Sequence, residues 1–326
     1  MKKKVSVVIP NYNGIKFIKN CLDSLRKQSY EDFETIIIDN RSTDGSDKVI
    51  EDEYPEMKLV RMDKNYGFSV AVNEGIILSD TEFVILLNND TEVHEDFVRE
   101  LVCAIEKSED IFSVSSKMIS FNQRNIMDDA GDLYTIIGWG FQRGVGQSIR
   151  KFNKSKEIFS ACAGAAIYRR KVFDEIGLFD TMHFAYLEDI DVGYRGRIAG
   201  YKNVYCPKAK VYHIGSATSG SKYNEFKVKL SARNNIYLIY KNTPFLQEVV
   251  NFPFIAAGFA VKAVFFRKMG FGKAYMDGIK EGIRTMHKCK KVPYKSDNLA
   301  NYIEIEKELI VNTYIYARDY LTRRGF

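Results

Sequence analysis

Phe83 to Leu87 (FVILL) runs for five residues without a polar break. A run that short and uniform predicts a strand buried on both faces, as in a parallel sheet flanked by helices. Val5 to Ile9 (VSVVI) predicts a second apolar strand, closed by Pro10 and the turn Asn11-Tyr12-Asn13-Gly14. An apolar rhythm at Phe17, Ile18, Leu22 and Leu25 then marks an amphipathic helix. Thr35 to Ile38 predicts a strand ending at Asp39, followed by turn-forming residues from Asn40 to Ser46. A helix over Val49 to Tyr54, a strand over Lys58 to Met62, a turn at Asn65-Tyr66-Gly67 and a helix over Phe68 to Leu78 complete the approach to the FVILL strand. Strands alternating with helices imply parallel βαβ units. In such sheets ligands bind beyond the carboxyl ends of the strands. Asn88, Asn89 and Asp90 stand there. Two readings of Asp90 stay open on these residues alone. It holds a hard cation that grips a phosphate, or it caps the next helix at a polar turn.

Further along, Phe97 to Ile105 has helical spacing and Ile111 to Val114 predicts a strand. From Asn122 to Lys156 the pattern loosens. Gly131, Gly138, Gly140, Gly144 and Gly146 are scattered through it with Trp139, the only tryptophan. Such a segment is either a binding loop or a surface excursion. Ser160 to Tyr168 predicts a tightly packed strand. Glu188, Asp189 and Asp191 then put three carboxylates within four residues, a pattern that also suits the first turn of a helix. A strand-like run over Lys210 to Tyr212 ends at His213, before Ile214-Gly215-Ser216. Phe245 to Phe266 is apolar but carries Lys262, Pro253 and Gly258. A spanning helix needs about 20 mostly apolar residues, and this run falls short on a strict count. The open alternatives are a helix in the membrane interface, with Arg267, Lys268 and Lys273 meeting headgroups, a core helix, or a partner for a second subunit in a homodimer. Ala274 to His287 and Tyr302 to Leu321 have helical rhythm.

The length of 326 residues favours a core plus an appendage. Five cysteines, an odd number with no CxxC pair, point to reduced thiols in a cytosolic protein and to no zinc site. The amino-terminal residues lead straight into a strand with no apolar signal core. Charge is uneven. Residues 241–326 hold 15 Lys and Arg against 8 Asp and Glu, so the net +6 resides in the tail. That charge lies beside apolar runs and on no nucleic-acid motif, which argues against a nucleic-acid partner. No GxGxxG follows the first strand and no GxxxxGK[ST] occurs, so dinucleotide and P-loop readings lose their main support.

VVIPNYNG, IIIDNRSTDGS, NYGFSVAVNEG and LLNNDTEV, in that order, resemble the nucleotide half of the family-2 glycosyltransferases of GT-A fold, in a rhamnosyltransferase-like branch. The resemblance covers about Val5 to Ser219. It implies an α/β GT-A fold, a mostly parallel central sheet flanked by helices, with a helical appendage. The expected domains are a catalytic unit over 1–220 (nucleotide-sugar half 1–93, acceptor half 94–220) and a basic helical region over 221–326. By this resemblance Pro10 and Tyr12 line the base and ribose, Asp39 hydrogen-bonds the base, and Asn65 and Gly67 lie near the nucleotide. Asn88 takes the first position of a metal motif usually written DxD, and Asp90 holds Mg²⁺ or Mn²⁺. The EDID block resembles the acceptor half, with Asp189 as catalytic base and Glu188 beside the acceptor. His213 matches a histidine near the metal or diphosphate. Trp139 is the candidate acceptor contact from the loose segment. The implied activity is inverting sugar transfer to a hydroxyl of a cell-surface glycan or lipid-linked acceptor, at the inner face of the membrane. dTDP-rhamnose is the favoured donor and a UDP-linked hexose the alternative. A non-catalytic sugar-nucleotide binder is the rival.

Overall fold

The computed structural model describes residues 2–215 and 223–323. Ser216 and the expected domain boundary at residue 220 lie outside the described residues. The amino-terminal half alternates as read: β1 (Val5–Asn11), α1 (Ile18–Arg26), β2 (Phe33–Asp39), α2 (Ser46–Glu53), β3 (Lys58–Arg61), α3 (Phe68–Leu78) and β4 (Phe83–Leu87). All five residues of β4 are buried, because helices cover both faces of the sheet it sits in. Then come β5 (Thr91–Val93), α4 (Phe97–Ile105), β6 (Ile111–Ser120), β7 (Met127–Asp129), β8 (Asp132–Tyr134), β9 (Gly140–Gln142), β10 (Lys156–Ile158), β11 (Ala165–Arg169), α5 (Arg170–Ile176), α6 (Glu188–Ile198) and β12 (Lys202–His213). The tail is four helices: α7 (Glu225–Asn242), α8 (Phe245–Lys268), α9 (Gly272–Thr285) and α10 (Leu299–Arg323).

The main sheet runs β10-β12-β6-β11-β4-β1-β2-β3, with β5 on β12 and β7 on β6. β3, β2, β1 and β4 are parallel, and β12 is parallel to β6. β11 is antiparallel between β4 and β6. One core, containing Val7, Ile37, Ile85 and Leu101, fills one face of the sheet, and a second, containing Val8, Ile38, Leu86 and Tyr168, fills the other. Alternate residues of each strand feed opposite faces, as the pleat requires.

Several expectations change. The strand expected over Ser160 to Tyr168 forms only as β11, since residues 160–164 turn away to meet α6. The loose segment contains β7 to β10, each three residues long, too short to set an alternation in the sequence. The run over Phe245 to Phe266 was expected to be too short and too broken to span. It is one unbroken helix of 24 residues with Pro253 inside it, long and apolar enough to cross a membrane by length and composition. A proline removes one helical donor and crowds the preceding turn, yet here the helix continues through it.

Candidate active site

β5 pairs antiparallel with the end of β12, and Thr91 stands opposite His213. That register sets Asp90, one residue before Thr91, beside the imidazole. His213 Nε2 lies 3.3 Å from Asp90 Oδ1, and its Nδ1 lies 2.6 Å from Asp128 Oδ2. A carboxylate on one ring nitrogen fixes the tautomer and turns the other nitrogen toward a ligand, the arrangement found around metal-bound histidines. Asp90 is 6 % exposed. Burial opposes charging His213, but Asp128 and Asp90 outweigh it and push the imidazole up to about 10 with no metal present. The donor set of one carboxylate and one imidazole, with a second carboxylate behind the imidazole, suits Mg²⁺ or Mn²⁺. Asp128 was not singled out in the sequence, because it lay in the segment without a pattern.

The residues expected to meet the donor lie at the ends of β1 and β2. Asn11 Nδ2 donates to Asp39 Oδ1 at 2.9 Å and to Ser46 Oγ at 3.0 Å, and Asn11 Oδ1 accepts from Asn89 at 2.8 Å. Asp39 Oδ2 accepts the Ser42 N–H, so the carboxylate also closes the local turn. Pro10 and Tyr12 are half-buried beside it. A Cβ on Gly14 would come within 2.4 Å of both Asn89 and Asn11, so only glycine lets α1 begin there. Asn65 accepts the Gly67 N–H. Gly67 has φ +86, and a Cβ there would meet Phe184 at 2.6 Å. Asn88 is half-buried and its N–H donates to Gly164 O.

The acceptor side is acidic. Asp189, at the start of α6, is held by Ile190 N–H at 2.8 Å, and its carbonyl accepts from Ser160 Oγ. Burial raises its pKa, opposed by the N–H groups of Ile190 and Ala163 and by a hydrogen bond from Asp132. Glu188 is pushed well up by burial and by Asp189, and one of its carboxyl oxygens is buried without a partner. Asp132 is raised well above the usual range by burial, Asp129 and Asp189. Asp129, Asp132 and Cys162 bring ligand atoms within 4.8 Å of one another. Asp191 is a different case. Burial opposes its charge, yet Lys241 at 2.9 Å and Arg195 at 3.0 Å hold its carboxyl far below the usual range.

Two connections join these groups. Asp128 and Asp129 are adjacent on β7, so one reaches His213 and the other the Asp132 cluster. In the turn before β11, Ala163 N–H meets Asp189 while Gly164 O takes the Asn88 N–H. Asp189 and Asn88 are therefore linked through two adjacent residues of one turn.

The approach to Asp189 is strained. Phe184, Tyr186 and Leu187 have φ of 62°, 73° and 66°. Non-glycine residues at positive φ cost about 1–3 kcal/mol each and persist where the surroundings over-determine them. Asn234 of α7, fully buried, donates from Nδ2 to the carbonyls of His183, Ala185 and Tyr186. Arg233 donates to those of Met182 and His183. Phe184 O in turn accepts from Phe68 and Ser69 at the start of α3. Trp139 is placed elsewhere: its Nε1 donates to Gly258 of α8, and its ring meets Tyr316 of α10 edge-on at 5.2 Å. None of its named contacts is with the carboxylates.

A mostly parallel sheet with an Asp after a strand end and a carboxylate-backed histidine beside it is an arrangement of GT-A type. The chain belongs to Glycosyl transferase family 2, which matches residues 6–177. It is 34% identical over 133 residues to an amylovoran biosynthesis glycosyltransferase, AmsB, of Erwinia amylovora, covering 39% of this chain and 44% of that one. It is 24% identical over 243 residues to the N-acetylglucosaminyl-diphospho-decaprenol L-rhamnosyltransferase of Mycobacterium tuberculosis, covering 68% and 79%. Several curated relatives are matched over less than half of their own length. The fold is shared with GalNAc-T7, solved with UDP, GalNAc and Mn²⁺, at a TM-score of 0.61 and 17% identity over 89% of this chain and 55% of that one.

Proposed function

We propose that this glycosyltransferase moves one sugar from a nucleotide diphosphate to a hydroxyl of a lipid-linked or cell-surface glycan, with inversion at the anomeric carbon. The observation that carries the reading is the bridge from Asn88 through Gly164 and Ala163 to Asp189, which sets a base next to the donor strand end. Asp39 and Asn11 meet the base and ribose, with Pro10, Tyr12, Asn65 and Gly67 around them. Asp90 and His213 would hold Mg²⁺ or Mn²⁺, which as a Lewis acid neutralises the leaving diphosphate. Asp189 takes the acceptor proton as the oxygen attacks. Burial raises its pKa, the direction that strengthens a general base. Glu188, raised by burial and by Asp189, stands beside it toward the acceptor. One base and one displacement give inversion without a covalent intermediate. dTDP-rhamnose is the favoured donor on the likeness to the mycobacterial rhamnosyltransferase. A UDP-sugar is the second reading, on the likeness to the structure solved with UDP.

The tail supports work at the inner face of a membrane. Phe245, Leu246, Val249, Val250 and Phe252 of α8 are all more than half exposed. The helix remains strapped to the body. Gly258 packs on Ile137, Gln247 and Asn251 reach Glu306, and Phe266 meets Tyr275 of α9. α9 returns along α7, so a spanning α8 would tear that packing apart. An interfacial helix rimmed by Arg267, Lys268 and Lys273 keeps every contact. The test is turnover of a panel of nucleotide sugars by purified protein with Mg²⁺ or Mn²⁺, with product anomers read by NMR. An α-to-β or β-to-α change supports the proposal, and a retained anomer sinks it.

A further inference from the structure

The segment without a sequence pattern forms a concave pocket of about 430 Å³ lined by Arg143, Arg150, Lys151, Asn153, Lys154, Ser155 and Lys156. Five of those seven residues are cations and none is an acid. Among the described residues no carboxylate pairs with any of the five. Glu308 and Glu157 pair with Arg197, and Asp319 with Arg318, while Glu308 and Asp319 also act through space on Lys156, and Asp319 on Arg143. The pocket is supported from beneath. Lys117, only 4 % exposed, donates from Nζ to Ile149 O and Asn153 Oδ1 under the loop. Arg143 lies over the rings of Phe152 and Tyr205, at 5.1 and 5.3 Å. Gly144, at φ +81, gives Phe152 the room, since a Cβ there would meet the ring at 2.5 Å. The Lys156 ammonium is pushed below its usual range by burial and by Arg143 and Arg318, with Glu308 and Asp319 opposing. Like charges gathered in one hollow and only partly offset by carboxylates favour the entry of an anion.

The pocket adjoins the acceptor side through the backbone. Arg143 N–H donates to Gly131 O, its carbonyl accepts from Ala130 N–H, and its Nη1 reaches Ala130 O. Ala130 and Gly131 lie between Asp129 and Asp132 in the chain. We propose that this pocket binds the diphosphate of the acceptor, so that a sugar diphosphate carrier is held with its hydroxyl toward Asp189. The inference rests on the lipid-linked acceptor proposed above and names the group through which that acceptor is held. Two to three phosphate oxygens facing flexible lysines and a fixed arginine give charge-assisted hydrogen bonds, stronger than neutral ones. Arg143 supplies orientation, while Lys151 and Lys154 supply charge.

The probes are inorganic pyrophosphate and geranyl diphosphate, titrated by calorimetry in excess EDTA so that the metal-dependent donor site stays out of play. Lys151→Glu with Lys154→Glu changes exposed side chains only, so folding is preserved. The expected result is at least tenfold weaker binding of both probes by the double variant than by wild type. Equal binding by wild type and double variant, or no binding by wild type, overturns the proposal. Phosphatidylglycerol vesicles separate the two sources of phosphate. If the double variant loses vesicle binding but keeps geranyl diphosphate, a lipid headgroup is the ligand and the acceptor assignment is wrong. Donor hydrolysis by wild type is followed in parallel. Its absence counts against the transfer reading alone, while the titrations still decide the pocket.

Discussion

On the donor side, Asn11, Asp39, Ser46 and Asn89 bond to one another, and Asp39 also closes its own turn. On the acceptor side, Asp129, Asp132, Glu188 and Asp189 crowd together with raised pKa values, and buried oxygens of Asp129 and Glu188 have no partner. The first arrangement is a finished surface, which under the proposed function a nucleotide would meet with little reorganisation. The second keeps charge and strain in reserve, as sites of proton transfer do. A substitution on the donor side should therefore weaken binding, and one on the acceptor side should slow the chemistry.

The largest expected effect tests that division at the base itself. Asp189→Asn keeps the size of the side chain but cannot accept a proton. Transfer should fall by about 10²–10⁴-fold, with donor affinity nearly unchanged in calorimetry. A variant that transfers sugar within a few-fold of wild type would remove Asp189 from the mechanism. On the donor side, Asp90→Ala should abolish the gain in nucleotide affinity that Mg²⁺ or Mn²⁺ brings. Asp128→Asn should reduce metal affinity by about 10–100-fold, the usual loss for a group that orients a ligand. Metal titrations showing equal affinity in all three proteins would leave Asp90 and His213 as a mere ion pair.

Next in size is Asn234→Asp. The replacement is isosteric, but it turns an acceptor oxygen toward three carbonyl oxygens. The strained residues 184–187 should relax and misplace Asp189, lowering kcat by about tenfold, equivalent to about 1.4 kcal/mol. Donor affinity should hold. If kcat per folded molecule is unchanged while only the melting temperature drops, Asn234 is a packing residue and the link from α7 to the base is absent.

The same division explains what was legible in the sequence. The donor side consists of strand ends and tight turns, each written within a few residues, so Asp39, Gly67 and Asp90 stand out and β1 to β4 fall where the pattern puts them. The contacts that join the pieces span long separations, and Asn89 meets Asn11 across 78 residues. Asp128 meets His213 across 85 residues, and Asn234 meets Tyr186 across 48. α7 was not anticipated because it buries Asn234, Asn235, Lys241 and Asn242, which erase the apolar rhythm. β7 to β10 are too short for a period. Pro253 read as a break in an apolar run, whereas packing along the body keeps α8 whole.

The smallest effect at neutral pH concerns Asp129, and it separates reserve charge from a hidden cation site. Burial, and after it Asp128, push its carboxyl up to about 8. The folded protein therefore binds a proton there that the unfolded chain gives up near pH 4. A raised carboxyl pKa contributes stability in full below the unfolded value and loses it as pH rises through the folded one. Asp129→Asn cannot ionise and so escapes that loss. Melting curves in EDTA should coincide for wild type and variant only below about pH 4, the unfolded value. From there the variant should melt at the higher temperature, with the gap widening until about pH 8 and level above it. A cation held by Asp129, Asp132 and Cys162 predicts the reverse. The ionised carboxylate would then be the useful form, wild type would gain stability from added metal, and the variant would lose that gain. A gap that stays constant from about pH 4 to 8 would show that Asp129 does not titrate in this range, and the contrast between a satisfied donor side and a proton-loaded acceptor side would then rest on Glu188, Asp132 and Asp189 alone.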